Sequence, residues 1–418
     1  MFLPNNGKVV VFDDKQKDIE SLLKALSKSK IPFFYYQDEG GSDLPESPID
    51  NIRLVFLDLE LVVNNPNEHN IIAPIAGRLR SVISKNNMYV LVYWSTKEDT
   101  YRETLENAFA NGLKDYKPMV ILSLNKSRAN SSNDPVEYIT NELKEKVKDV
   151  SSINAFMLWE SAVNDAAGLI TNEMSSFVNK NNWDKGMYGL LFRLSKAQAG
   201  VHALEDQSNN SKLNLAFEVI NNSLVETSER IFNERLALVE IGNIKEGGRE
   251  LTADEKIKLN TRLHILSNEN LQHFYSGNLY IEPINAVGRE IILRNYSKDI
   301  YNKLNESNAK LICLDITPSC DYAQRKHYTR MLFGVMIEGK HSTAILGGDN
   351  KYKQIPIIEI SGESHLIFDY RTLRSFSREE FLNKFKTRPR YRLRSSILLD
   401  IQAQLSNHIN RPGIVTIG

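Results

Sequence analysis

Asp13 and Asp14 follow one apolar run, Asp58 closes a second, Ser95 and Thr96 close a third, and Lys126 stands just past a fourth. If those runs are parallel strands of one sheet, these side chains meet at its carboxyl edge, where open α/β sheets bind ligands. Three carboxylates at one edge repel and raise one another's pKa unless a cation sits among them. Mg²⁺ takes hard oxygens and keeps several waters, so two aspartates and a backbone carbonyl suffice as protein ligands. An aspartate held there could attack a phosphoryl donor, while a hydroxyl and a lysine on neighbouring strands hold the acyl-phosphate oxygens. Two plainer readings stand beside this one. An Asp-Asp pair after a strand is often a solvated cap for the next helix, and Ser95 with Glu98 could be a capping box.

The elements that must position these residues are legible as periodicity. Val9-Val10-Val11-Phe12 and Leu54-Val55-Phe56-Leu57 are unbroken apolar runs of the kind a strand buried on both faces shows. Tyr89 to Trp94 and Met119 to Leu124 read the same way, and Ile31 to Tyr36 supplies a further strand. Between them, Ile19, Leu22, Leu23 and Leu26 recur at helical spacing, and Ile75–Ile83 and Tyr101–Asn111 form two more helices. The stretch Gln37 to Asp50, rich in Gly, Pro and Ser, is a loop. Strands separated by helices at this pitch predict a doubly wound five-stranded parallel sheet over residues 1–130.

The order Phe12-Asp13-Asp14, Leu57-Asp58-Leu59, Trp94-Ser95-Thr96 and a lysine after strand five resembles the receiver domain of two-component response regulators. The resemblance implies phosphorylation of Asp58, Mg²⁺ held by Asp13, Asp14 and Asp58 with a backbone carbonyl from Glu60, Ser95 or Thr96 sensing the phosphoryl group, and Lys126 pairing with it. It also implies a histidine kinase or small phosphodonor as partner, and a bacterial, cytoplasmic setting. Receiver proteins with unusual output modules often sit in operons that fight phage or stress. The chain departs from the family in two places. Lys126 precedes Ser127 where the family usually has proline, while Lys117-Pro118 falls before the strand, so Lys117 becomes the candidate if strand five is displaced. The loops before strand three and after Asp58 are also longer and more polar than usual.

Residues 125–133 read as a linker, and 134–270 as a helical connector domain opened by Asp134 as cap and Pro135 at the first helical position. Trp159, Trp183, Tyr188 and Phe192 read as its core, with Phe156, Trp159, Val163 and Ala167 on one face. By architecture such a region pairs with its copy in a homodimer. Thr252 with Glu255 makes a capping box. From 275 to 418 short apolar runs between turn residues predict a small antiparallel β barrel with terminal helices, an output module. Its string Leu311 to Gln324 resembles SH3-like barrels of the PemK kind, which implies a loop at an active face. Ser319, Cys320, Asp321, Arg325 and His327 would then cut RNA, with the receiver as a catch. Zinc on Cys313, Cys320 and His327 lacks a fourth ligand. The alternative is a polar turn in which Asp321 bonds local amides.

Arg371, Arg374, Arg378, Lys384, Lys386, Arg388, Arg390, Arg392 and Arg394 give residues 371–394 a net charge of about +7, interleaved with Phe376, Phe381, Phe385 and Tyr391. Such a segment either binds nucleic acid, with the aromatics stacking on bases, or docks on a protein while the phenylalanines form the buried face of a helix capped by Ser377 and Glu380. Over the whole chain Lys+Arg and Asp+Glu are both 52, which excludes a globally basic nucleic-acid binder. Two cysteines exclude a disulfide scaffold and fit a reducing compartment. No apolar run approaches the ~18 residues of a membrane span, so a soluble protein is expected. The leading reading is a response-regulator-like signalling protein; a ribonuclease effector and a degenerate receiver kept as an adaptor stand behind it.

Overall fold

Buried strands dictate the first sheet. In a computed structural model, the residues described are 8–37, 43–59, 68–96, 101–147, 151–199, 208–239, 249–269, 273–283, 309–318, 321–322, 328–338, 352–356, 358–360 and 362–409, with single positions 204, 244, 247, 271 and 302. The elements begin β1 (Lys8–Asp13), α1 (Gln16–Lys28), β2 (Phe33–Gln37), β3 (Ile52–Asp58), α2 (Glu68–Val82), β4 (Val90–Ser95), α3 (Arg102–Ala110), β5 (Val120–Asn125), α4 (Lys126–Ser131) and α5 (Pro135–Val147). All five strands are parallel, in the order β2-β1-β3-β4-β5. Val9, Val11, Leu54, Phe56, Val90 and Val92 pack on one face with α1, α4 and α5. Val10, Phe12, Val55, Leu57, Leu91 and Tyr93 pack on the other with α2 and α3. The sheet is doubly wound, as the unbroken apolar runs require.

The expected linker over 125–133 is instead helix α4. Asn125 caps it, accepting from the Arg128 N–H at 3.0 Å, and Ala129 is fully buried. A cap and one buried contact outweigh a run of Ser and Asn with weak helical preference.

The helical middle comprises α6 (Ser151–Ser176), α7 (Trp183–Ala199) and α8 (Asn209–Leu236). The chain divides into two compact units, Met1–Trp183 with Ile220–Lys245 and Asp184–Val219 with Glu246–Gly418, so these helices are shared out between them. In the first unit, Ile153 and Met157 of α6 join the sheet's core. Arg53 of β3 donates to Glu160 of α6 at 2.5 and 2.9 Å, and Ala162 and Ala166 pack on Ile231 of α8. The reading of Trp159, Trp183, Tyr188 and Phe192 as core residues is corrected: they are 54%, 44%, 60% and 48% exposed. Helix α6 is apolar on most sides, so periodicity alone does not select the face that packs.

The second unit continues with α9 (Ala253–His264), β6 (Ile265–Ser267), β7 (Asn278–Pro283), β8 (Lys310–Asp315), β9 (Tyr328–Glu338), β10 (Tyr352–Gln354), β11 (Ile358–Glu359), β12 (Glu363–Asp369), β13 (Arg374–Ser377), α10 (Arg378–Lys384), β14 (Tyr391–Leu393) and α11 (Ser395–Ile409). The capping boxes expected at Thr252/Glu255 and Ser377/Glu380 are present. The strands form one curled antiparallel sheet, a half-barrel, ordered β10-β12-β9-β8-β7-β14-β6, with β11 on β12 and β13 on β9. Alternation sets its two faces. Leu279, Ile312, Leu314 and Leu332 face α11, through Ile397, Leu398 and Ile401. Tyr280, Leu311, Cys313 and Phe333 face Phe381 of α10 and Phe385 at its C-terminal cap. Among the described residues no helix is long and apolar enough to cross a membrane.

Gly334 lets β9 and β12 approach: a Cβ there would lie 2.2 Å from the Ile367 carbonyl oxygen. Gly334→Ala should therefore destabilise the C-terminal unit by about 2–3 kcal/mol. A urea melt of this variant that overlays wild type would contradict the register.

Candidate functional site

The ends of β1, β3 and β5 bring together the residues picked out first. Asp13 and Asp58 are buried, and Lys126, the first residue of α4, reaches both. Its Nζ stands 2.8 Å from Asp13 Oδ2 and donates to Asp58 Oδ2 at 2.6 Å. Strand order puts β4 between Lys126 and Asp58, and register sets Ser95 opposite Asn125, one residue beyond the partner of Asp58. Ser95 is fully buried at this edge; Thr96, the next residue, is exposed in a bend. Asp14 is half-buried, and ligand oxygens of Asp13, Asp14 and Asp58 all lie within 4.8 Å of one another. Lys117 is exposed ahead of β5 and is not part of this group, while Glu60 lies outside the described residues.

Electrostatics tie the group together. Burial, reinforced by the charge of Asp58, pushes the Asp13 carboxyl up to about 6, against the opposing pull of Lys126 and of the Lys15 N–H. Burial alone would lower the Lys126 ammonium, but the two aspartates outweigh it and hold the lysine above its ordinary value. Tyr35 donates to the Asp13 carbonyl oxygen at 3.5 Å, and burial with the charges of Asp13 and Asp14 raises its phenol to about 12. The helix-cap reading has a share in this. Asp13 Oδ1 accepts from the Lys15 N–H at 2.8 Å, closing the turn into α1. Oδ2, by contrast, is a buried atom without a well-aligned hydrogen bond.

The basic segment is not one site. Arg371 is folded back on Asp369, at 2.9 and 2.8 Å. Arg392 stacks on Tyr275, 3.4 Å from the ring centre, and donates to Asn278 Oδ1 at 3.0 Å. Arg394 is half-buried beside β14. Phe381 and Phe385 are buried, Phe376 packs against them, and Tyr391 donates to the Ile360 carbonyl, so these aromatics are not free to stack on bases. Arg374 and Lys384 are half-exposed, and Lys386, Arg388 and Arg390 are exposed.

Sequence reasoning passed over a buried carboxylate in the C-terminal unit. Asp315 closes the apolar strand β8 as Asp58 closes β3. It accepts from the Thr317 N–H at 3.0 Å and from the Tyr322 hydroxyl, and burial pushes it up to about 7. The matching signal, an aspartate ending Leu311-Ile-Cys-Leu, was there to be read. Asp321 is buried and pairs with Arg330 at 3.1 Å, while Cys313 sits inside the sheet with its thiol pushed up by burial, an inert setting. Ser319, Cys320, Arg325 and His327 lie outside the described residues.

No protein-family model matches the chain. No curated protein matches it either. Among solved structures it is similar to the signal receiver domain of a putative LuxO repressor protein from Vibrio parahaemolyticus, at 14% identity and a TM-score of 0.19, covering 34% of this chain and 95% of that one. It is also similar to full-length FixJ from B. japonicum, at 11% identity and a TM-score of 0.18, covering 56% and 99%. Neither is a PemK-type barrel, and the likeness of residues 311–324 to such barrels has no support. At these scores the likenesses carry no weight; the receiver reading rests on strand order and the aspartate–lysine group.

Removing Lys126 strands two buried carboxylates. Lys126→Met in EDTA should lose about 3–5 kcal/mol at pH 8 and recover as the pH falls and the carboxylates take up protons; urea melts at pH 8 and 5.5 test this. Asp315 gives a second pH signature. Its folded pKa lies above the ordinary 3.8, so the stability it allows is full below about pH 4 and is lost as pH rises towards 7. Asp315→Asn should flatten that decline, measured as melting midpoints from pH 4.5 to 8; an unchanged slope would mean that Asp315 is ionised throughout.

Proposed function

We propose that the first unit is a phosphoacceptor receiver whose nucleophile is Asp58. The observation that carries this reading is the Lys126 ammonium bridging buried Asp13 and Asp58 at the carboxyl edge of the sheet. A helix cap needs neither a buried lysine nor a second carboxylate. The donor set fits Mg²⁺: hard carboxylate oxygens close together, with Asp13 Oδ2 buried and lacking an aligned hydrogen bond. Asp13, Asp14 and Asp58 would hold the ion, with the Glu60 carbonyl completing the family's set, and it would supply countercharge for the transferring phosphoryl group.

The chain's own groups do the rest. An Asp58 carboxylate oxygen attacks phosphorus of a phosphohistidine on a kinase, the P–N bond breaks, and the imidazole leaves with its electron pair and takes a proton from solvent. A small phosphodonor reacts the same way with breakage of its P–O bond. The product carries new charge where Lys126 already stands, so the lysine holds the phosphoryl oxygens. Ser95, buried on the neighbouring strand end, is the hydroxyl in place to follow that charge, and its movement would repack β4 against α3, a two-state shift. The C-terminal unit is the output that such a shift controls.

Beryllium fluoride with Mg²⁺ mimics the aspartyl phosphate. A ligand that binds only the folded state at 100 times its Kd adds about 2.7 kcal/mol, so the melting midpoint of the wild type should rise by several degrees and that of Asp58→Ala should not. Intact-mass analysis after acetyl phosphate treatment should show one phosphoryl group on the wild type. No rise and no mass gain would leave a receiver fold that serves as an adaptor.

A further inference from the structure

The C-terminal unit carries a cationic surface that the receiver chemistry does not use. Its cations rest on one aromatic cluster. The Arg378 guanidinium lies 4.3 Å from the centre of the Phe274 ring, and the Lys384 ammonium 5.0 Å from Phe376 and 5.9 Å from Phe333. Phe274 packs on Phe381 at 5.1 Å, and Phe376 on Phe385 at 6.2 Å, so those cations rest on one packed group. Arg388 follows Thr387, whose hydroxyl stands 3.5 Å from Glu282, two residues beyond Tyr280 on the same face of β7. Arg374 pairs in register with Met331, another member of that cluster.

The loop after α10 fixes its cations in place. Phe385 and Pro389 are buried, and the Arg390 carbonyl accepts from the Asn268 N–H at 3.0 Å, so Lys386, Arg388 and Arg390 project from a backbone held at both ends. The carboxylates of α10 and β7 are Glu379, Glu380 and Glu282. Glu380 accepts from the Ser377 N–H at 2.8 Å as part of the capping box, and Glu282 faces Thr387 at 3.5 Å. Among the described residues no carboxylate forms an ion pair with Arg374, Lys386, Arg388 or Arg390, whereas Arg371 of the same sequence segment is closed off by Asp369.

We propose that this surface, formed by Arg374, Arg378, Lys384, Lys386, Arg388 and Arg390, binds the phosphate backbone of a nucleic acid strand. Phosphate contacts need uncompensated cations held in place, and they carry affinity without base recognition. A protein interface would need an apolar anchor at its centre, and here the large rings lie beneath the cations instead of on the surface.

The test is fluorescence anisotropy of the full-length protein with a labelled 20-nucleotide single-stranded RNA, the matching single-stranded DNA, and the duplex, at 50 to 200 mM salt. With about four phosphates engaged, affinity for the single strands should fall about fiftyfold over that range. Arg388→Glu with Arg390→Glu should weaken binding at least tenfold and flatten the salt dependence, with an unchanged melting midpoint because both side chains are exposed. Lys185→Glu, an exposed cation elsewhere, should change nothing. The ranking of RNA against DNA identifies the source. Absence of binding at 50 mM salt, or binding indifferent to the double reversal, would overturn the proposal. So would equal affinity for poly-glutamate with the same variant dependence, which would assign the surface to an acidic protein. The receiver reading is read out by beryllium fluoride and acetyl phosphate, and this proposal by anisotropy of untreated protein, so failure here is separate from failure of the receiver reading.

Discussion

Everything at the carboxyl edge of the first sheet depends on one ammonium group shared by two buried carboxylates. Asp13 and Asp58 have no access to bulk water, and their mutual repulsion in that setting is large. Lys126 makes the arrangement stable, and it can do so only because of the strand order. Its own strand is two places from β3, roughly 10 Å at the spacing of adjacent strands, a gap that a four-carbon stem spans across the end of β4. Ser95 is at the end of that middle strand. The hydroxyl, the two carboxylates and the lysine are therefore brought together by topology from distant parts of the chain, and a change of strand order would separate them.

What the sequence disclosed, and what it did not, follows from the range of the interactions involved. Strands buried on both faces must be apolar throughout, so β1, β3 and β4 and the polar residue ending each were legible. Capping boxes are local, and Thr252/Glu255 and Ser377/Glu380 were found without tertiary information. Helix α6 hid its packing face because nearly all its faces are apolar. The strands β13 and β14 are four and three residues long, too short for alternation to show, so their arginines read as one basic segment. Nothing local says that Arg371 closes on Asp369 or that Arg392 stacks on Tyr275; both depend on where the sheet curls.

Phe274, ahead of β7, has a φ of +58°, a left-handed conformation a bulky side chain rarely adopts. In return its ring meets Phe381, Tyr322 and the Arg378 guanidinium. The same cluster gives the cations of α10 a rigid support. A lysine or arginine laid over a ring keeps its charge at the surface while its stem covers apolar area, so one set of side chains closes a small core and leaves a charged exterior.

Asp13 and Asp315 show how the same placement, an aspartate ending a buried strand, leads to different chemistry. Both are pushed upward by burial, to about 6 and about 7. Asp13 is opposed by a full positive charge and aggravated by a second carboxylate, so its balance shifts whenever charge is added to or removed from that edge. Among the described residues Asp315 has no ammonium partner; a phenol, a hydroxyl and an amide oppose its burial, with the Arg392 charge a lesser influence. Neutral donors do not change when a charged ligand arrives. The first aspartate thus belongs to a group whose balance depends on the charges around it, whereas the second, with Tyr322 and Thr317, fixes the turn that follows β8.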